Sequence, residues 1–512
     1  MWFKTFILLV VSLFFSFQLC ATEQQPFVII DSEHNYNLNP HTASYSSEAQ
    51  VLTGLYEGLF SYNPKTLEPL PALLSNYKVS RNKLRWTFTV LENACFSNGE
   101  KITAQSIKDS WMNLLHPKTQ APFASLLDCV KGVYEYRTGK GSAEDVGIYV
   151  QNENRIMLVL NTPAEHLPNI LCHHAFAAVH PDANVYSGPF VLESYQNGIL
   201  KLQKNPLYHD EKNVALQEIH IVQSDNVDEN TYLFNIGSVD WIISMANLDS
   251  VLDRDSILIS PEFATEYLFF KADKFPWNRA DFRNALISAV PWEELRKQAF
   301  VPAHNFIYPL NDYFSPVGIT DWDMEEAKIM LNEAKKAANL DVSEKVEITI
   351  AISDSEYMMN QAEILKNSWE QIGVAVNISK TPVSRYLDSI KGWNADLFSY
   401  TWIGDFADPL SFLELFRSSS TMNESKWVNQ EYDSLLDQAS KKEGRERLDL
   451  LAQAEDILLS DGIVLPISHP VTLNILNMDV VKGWYSNALD IHPMKYFSRE
   501  KEKSVIPNIV RK

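Results

Sequence analysis

Val346-Glu-Ile-Thr-Ile-Ala-Ile352 alternates apolar and polar residues as a half-buried strand does, and a helical stretch, Glu356 to Gln371, follows it. Gly373 stands where a helix-ending glycine belongs. Val374 to Ile378 reads as a second strand, Ser384 to Ile390 as a short helix and Asp396 to Trp402 as a third strand. Strand–helix–strand–helix–strand is the signature of an α/β domain with parallel pairing. In open α/β sheets ligands bind beyond the carboxyl ends of the strands. The residues just after Trp402 are therefore the first place to look for a site.

That stretch is Thr401-Trp402-Ile403-Gly404-Asp405-Phe406-Ala407-Asp408-Pro409. Asp408-Pro409 has the form of a helix cap followed by proline at the first helical position. Asp405 lies between the strand end and that cap, where its carboxylate either meets a ligand ammonium or closes a local turn. Aromatic residues make up 12% of the chain, and Trp393, Trp402, Trp427 and Trp484 lie beside loops, where pockets and cores both use them.

The pattern continues upstream. Asp323 starts a helix through Lys335, and capping explains Asp321, Asp323, Glu325 and Glu326 better than calcium, because the loop lacks the EF-hand glycine and spacing. Phe282 to Val290 reads as a helix ended by Pro291. Ile156 to Leu160 and Gly198 to Gln203 read as short strands. Nearer the start come a strand at Phe27 to Ile30, a helix over Ser46 to Phe60 and an alternating strand at Leu84 to Val90. The Asn98-Gly99 turn precedes a helix capped by Thr103 and running through Trp111.

With 512 residues the chain exceeds one hydrophobic core and calls for two or three domains. Its net charge of −21 leaves no basic nucleic-acid footprint. The phosphate-binding, dinucleotide-binding, nucleophile-elbow and zinc-protease signatures are all missing, so neither catalysis nor a cofactor is expected. His173-His174 cannot share a metal easily, since adjacent side chains diverge. Cys95, Cys129 and Cys172 lack C-x-x-C spacing and read either as one disulfide with a thiol left over or as ordinary buried cysteines.

Phe6 to Phe17 is almost wholly apolar behind Lys4. It is shorter than the roughly 20 residues a membrane helix needs and has the length of a signal-peptide core. Cleavage after Ala21 and lipidation of Cys20 are the two outcomes such a segment allows.

Several blocks occur in order along the chain: Leu38-Asn39-Pro40-His41, Leu55-Tyr56-Glu57-Gly58-Leu59-Phe60, Pro71-Ala72-Leu73 and Phe96-Ser97-Asn98-Gly99-Glu100. Ser187-Gly188-Pro189-Phe190, Lys204-Asn205-Pro206-Leu207-Tyr208, Phe282-Arg283-Asn284-Ala285-Leu286, Asp396 to Leu410 and Leu448 to Pro466 complete the series. Together they resemble the oligopeptide- and dipeptide-binding proteins of ABC importers. The resemblance implies an α/β, periplasmic-binding-protein-like fold, with two lobes around a ligand cleft plus an extra inserted domain. The implied division is a signal peptide at 1–21, a first lobe from 22–55, 184–265 and 482–512, an inserted domain at 56–183 and a second lobe at 266–481.

The resemblance also implies function. A periplasmic monomer would enclose an extended peptide, hold its backbone by strand-like hydrogen bonds and deliver it to permease subunits. Asp405 would hold the peptide α-ammonium. Trp402 with the backbone of Thr401 and Ile403 would form one wall of the site, and His34 and Tyr36 the other. Members that bind short peptides use basic side chains for the carboxylate. Here Ser399 and Ile390 stand where arginines can occur and Tyr357 where a histidine can; Arg385 is a nearby candidate, and otherwise the carboxylate is met elsewhere, the peptides are longer, or the ligand is not a peptide. Relatives of this fold carry nickel complexes, haem or sugars, and others serve as sensory or surface receptors. A hydrolase using Asp405 and Asp408 as paired carboxylates is the remaining reading.

Overall fold

The computed structural model describes residues 25–310, 312–404 and 408–500. Cys20, the apolar segment before it and Asp405 lie outside the described residues.

Two sheets organise the lobes. The strands of the first are β1 (Phe27–Asp31), β2 (Phe190–Gln196), β3 (Ile199–Lys204), β4 (Glu218–Gln223), β5 (Trp241–Ile243) and β6 (Ile257–Pro261). The second takes β7 (Ala264–Phe270), β8 (Val346–Ser353), β9 (Val374–Thr381), β10 (Leu397–Ile403) and β11 (Val464–Ser468). The chain then returns to the first with β12 (Val471–Leu476). Among the described residues the first sheet is seven-stranded in the order β6-β12-β5-β1-β4-β3-β2, and the second five-stranded in the order β9-β8-β10-β7-β11. A four-stranded antiparallel sheet over Leu74–Val79, Arg85–Val90, Ile148–Asn152 and Arg155–Val159 forms the inserted part. Val471–Leu476 falls inside the range expected for the second lobe, 266–481. Its pairing with Trp241–Ile243 and Ile257–Pro261 puts it in the first lobe's sheet instead.

The second lobe shows why its elements form. β8 and β9 run parallel in register from Val346↔Val374 to Ser353↔Thr381. The helix between them, α1 (Glu356–Trp369), is capped by Ser355, whose Oγ accepts the Met358 N–H. Met358, Ala362, Leu365 and Trp369 recur at helical spacing and bury against the sheet. Gly373 at φ +88° ends the segment, a conformation that costs glycine little.

The helix expected over Ser46 to Phe60 stops at Leu55. Tyr56 is extended, and Phe60–Tyr62 pairs as a strand with Pro69–Pro71. The Leu55 carbonyl accepts from Gly188 N–H (2.9 Å) and the Glu57 N–H donates to Ser187 Oγ (3.0 Å), so tertiary partners replace the helical ones. The three cysteines Cys95, Cys129 and Cys172 are free thiols. No helix among the described residues is long and apolar enough to cross a membrane.

Candidate functional site

The chain passes between the two sheets twice. Glu262-Phe263 links β6 to β7, and His469-Pro470 links β11 to β12. The connectors are bonded together, with Glu262 N–H donating to Pro470 C=O at 3.2 Å. Two cavities open between the lobes. The larger, about 710 Å³, is walled by the end of β1, the residues after it, and Trp241 to Met245 on the first lobe. Asp354, Val383 and Ser384 wall it from the second lobe, with Glu262 and Asp490 completing it. The smaller, about 350 Å³, lies between Thr42 and Ser44, the inserted part's Thr119 to Phe123, and second-lobe residues including Tyr267, Ile390, Tyr400 and Trp402.

His34 and Tyr36 stand together at the first-lobe wall, with ring centroids 4.1 Å apart. His34 lines the larger cavity, its Nδ1 3.0 Å from Ser32 C=O and its Nε2 3.1 Å from Ser47 Oγ. Tyr36 turns its hydroxyl inward to donate to Asp31 at 2.5 Å. Burial raises the Asp31 pKa, against the lowering effect of that hydrogen bond. Glu48 fixes this loop by accepting the N–H groups of Asn37, Ser44 and Tyr45 at 2.6–3.1 Å.

Thr401, Trp402 and Ile403 end β10, which pairs with β7 along its whole length. On its other side β10 pairs with β8 only at Leu397 and Phe398. There the Tyr386 hydroxyl takes over the ladder, lying within hydrogen-bond distance of Ser399 N (2.9 Å), Ser399 O (2.9 Å) and Ala351 O (3.0 Å). Ser399 therefore points its backbone groups to the β8 side. By alternation Thr401 and Ile403 do the same, beyond the point where β8 pairs. This leaves a short open strand edge. Asp354, just after β8, and the Val383-Ser384 turn after β9 line the larger cavity.

Trp402 presents its ring to the smaller cavity, 6.5 Å from the Phe123 ring, and anchors its Nε1–H on Ser411 C=O at 2.9 Å. Arg385 is exposed on the turn between the two cavities, and among the described residues its guanidinium makes no ion pair. Of the three residues expected at positions where basic groups can occur, Ile390 lines the smaller cavity, Ser399 is buried and Tyr357 donates to Glu266 at 3.0 Å. Asp408 caps Leu410 N–H (2.9 Å) and forms a two-pronged ion pair with Arg447 at 2.7 and 2.8 Å.

Sequence reasoning missed Glu262 and Asp490. Burial, with Asp490 second, pushes the Glu262 carboxyl up to about 8. Asp490 is oriented by Asn474 Nδ2–H and His492 Nε2, both at 2.9 Å from its Oδ1. Neither residue sits in a local motif. The one available signal is an acid directly after Pro261, ahead of an apolar strand.

Two lobes joined by paired connectors and parted by a cleft define a hinged two-lobe binding protein. The profile of the bacterial extracellular solute-binding proteins, family 5 (Middle), matches residues 68–424, and the chain belongs to that family. It is 26% identical to the dipeptide-binding protein DppE of Bacillus subtilis (strain 168), over 87% of this chain and 86% of that protein. It is 25% identical to the oligopeptide-binding protein OppA of the same organism, over 84% and 85%. The Escherichia coli murein tripeptide binding protein MppA has the same fold, with a TM-score of 0.83 at 24% identity, covering 94% of this chain and 99% of that one.

Proposed function

We propose that the protein captures peptides outside the inner membrane and hands them to the permease subunits of an ABC importer, without catalysis. The observation that carries this is the open edge of β10. Unpaired among the described residues, the Thr401 and Ile403 backbone groups offer an extended peptide the partners that a neighbouring strand would use. Main-chain recognition of that kind is indifferent to side-chain identity, and cavities on either side take the side chains. The relatives named for dipeptides, oligopeptides and a murein tripeptide support the same reading.

In this scheme Asp405, two residues beyond Ile403, meets the α-ammonium. Trp402 walls one side of the site, and His34 and Tyr36 the other. Arg385 meets the peptide carboxylate. The segment from Phe6 to Phe17 exports the chain to the periplasm, where it acts as a monomer.

The test compares Asp405→Asn with the parent chain by calorimetry, using peptides with free and acetylated amino termini. Losing one partner of a desolvated charge pair costs about 2–5 kcal/mol. The variant is expected to lose that much for free peptides and little for acetylated ones. Equal affinities for parent and variant overturn the assignment.

A further inference from the structure

Among the described residues six carboxylates line the larger cavity, from Asp31, Glu33, Asp225, Glu262, Asp354 and Asp490, and no lysine or arginine lines it. Three are engaged inside the protein. Asp31 accepts from Tyr36 and Ser32, Asp225 from Glu33 N–H, and Asp354 from Val383 N–H. Glu262 is different. It is only 8% exposed, it lines the cavity, and among the described residues its carboxylate makes no hydrogen bond or ion pair. A buried carboxylate without a partner is unfavourable in its ionised form. Asp490 faces the same space, with both donors on Oδ1 and Oδ2 left for another partner.

We propose that the cleft selects solutes bearing a cationic side group in addition to a terminal ammonium, and that this second cation sits between Glu262 and Asp490 at the connector. For a peptide this means one containing lysine or arginine. The proposal rests on the peptide reading for the ligand's backbone, not for its charge. A cation there supplies the donors that Glu262 lacks and offsets the repulsion between the two carboxylates. A neutral ligand leaves Glu262 buried and unpaired. An acidic one meets six carboxylates and, among the described residues, no lysine or arginine on the cavity wall.

The test is calorimetry of the full chain with tetraalanine and the four tetrapeptides in which one alanine is replaced by lysine. At least one lysine position is expected to bind more than about tenfold tighter than tetraalanine. That ratio falls to within about threefold in Glu262→Gln, is reduced in Asp490→Asn, and is largely kept in Glu262→Asp, because it follows the carboxylate. Urea midpoints check that each variant folds, and if Glu262→Gln does not, Asp490→Asn and Glu262→Asp carry the comparison. The proposal is overturned if no lysine position gains affinity or if the gain survives in Glu262→Gln. Cadaverine, titrated alone, separates the two readings. Binding of cadaverine that depends on Glu262, with no peptide binding, keeps the cation seat and refutes the peptide reading. Failure of both refutes the seat as well.

Discussion

Replacing Tyr386 by phenylalanine removes one oxygen and tests how the open edge of β10 is made. The hydroxyl is buried, and it accepts from Ser399 N–H while donating its single proton to Ser399 O or Ala351 O. Phenylalanine keeps the ring contacts and leaves one N–H and one C=O without partners between two strands. Each unsatisfied buried group costs about 1–3 kcal/mol, so with two of them the variant loses about 2–6 kcal/mol. Urea unfolding should show a lower midpoint with an unchanged slope, since the surface exposed on unfolding hardly changes. Peptide affinity should fall as well, because Thr401 follows Ser399 by two residues and presents the neighbouring groups of the same edge. The reasoning is refuted if the variant loses less than about 0.5 kcal/mol, well below the cost of even one orphaned group.

Two further perturbations read other parts of the molecule. Arg137 of the inserted part holds Asp128 and donates to Ser419 C=O of the second lobe at 2.7 Å. Arg137→Ala should cost about 3 kcal/mol, the low end for an uncompensated buried charge, and adding Asp128→Asn should recover part of it in urea unfolding. The Glu262 and Glu455 carboxyls are raised from 4.5 to about 8 and about 7, chiefly by burial, so each of them holds its proton more tightly in the folded protein than in the unfolded one. The contribution of these two carboxyls to the stability of the unliganded protein should therefore be lost as pH rises from about 5 to 8. Buried histidines held below 6.5, such as His41, His174 and His469, act the other way. The readout is therefore the difference in urea midpoint between the parent chain and the double variant Glu262→Gln, Glu455→Gln, which should fall over that range. A difference between parent and double variant that rises with pH would contradict both assignments.

The second lobe was legible because each element carries its own local signal. Val346–Ser353 alternates, Ser355 caps, and Gly373 ends the helical segment at positive φ. Ser46 to Phe60 misled because Leu59 continues the apolar period set by Val51, Leu52 and Leu55. The strand pairing of Phe60 with Pro71 and the bonds to Ser187 and Gly188 lie outside any local window. Val471–Leu476 is likewise assigned by partners more than 200 residues away in sequence. At the site, the end of β10 could be located from the strand pattern alone. That its edge is open depends on the Tyr386 hydroxyl, and no periodicity reports that. Glu262 and Asp490 are illegible for the same reason: their significance comes from facing one cavity and each other.

The connectors tie these features together. Phe263 N–H donates to Ala488 C=O at 2.7 Å, and Phe263 C=O accepts from Gly404 N–H at 2.8 Å. A Cβ at Gly404 would overlap the Phe263 ring, so glycine is what lets the connector lie flat against the end of β10. The residue after Gly404 in sequence is Asp405. Glu262, one residue before Phe263, faces the cleft. His469, on the second connector, lies 3.1 Å from Ala264 C=O and 3.0 Å from Thr265 Oγ1. Rotation of one lobe against the other must turn the backbone at residues 262–263 and 469–470. It therefore turns the backbone that carries Glu262 relative to the end of β10. A ligand held by the open strand edge and by Glu262 is bound at the two places whose separation depends on that rotation. Its binding energy is then available to fix the angle between the lobes, since a ligand shifts such an equilibrium only through contacts that differ between the two arrangements.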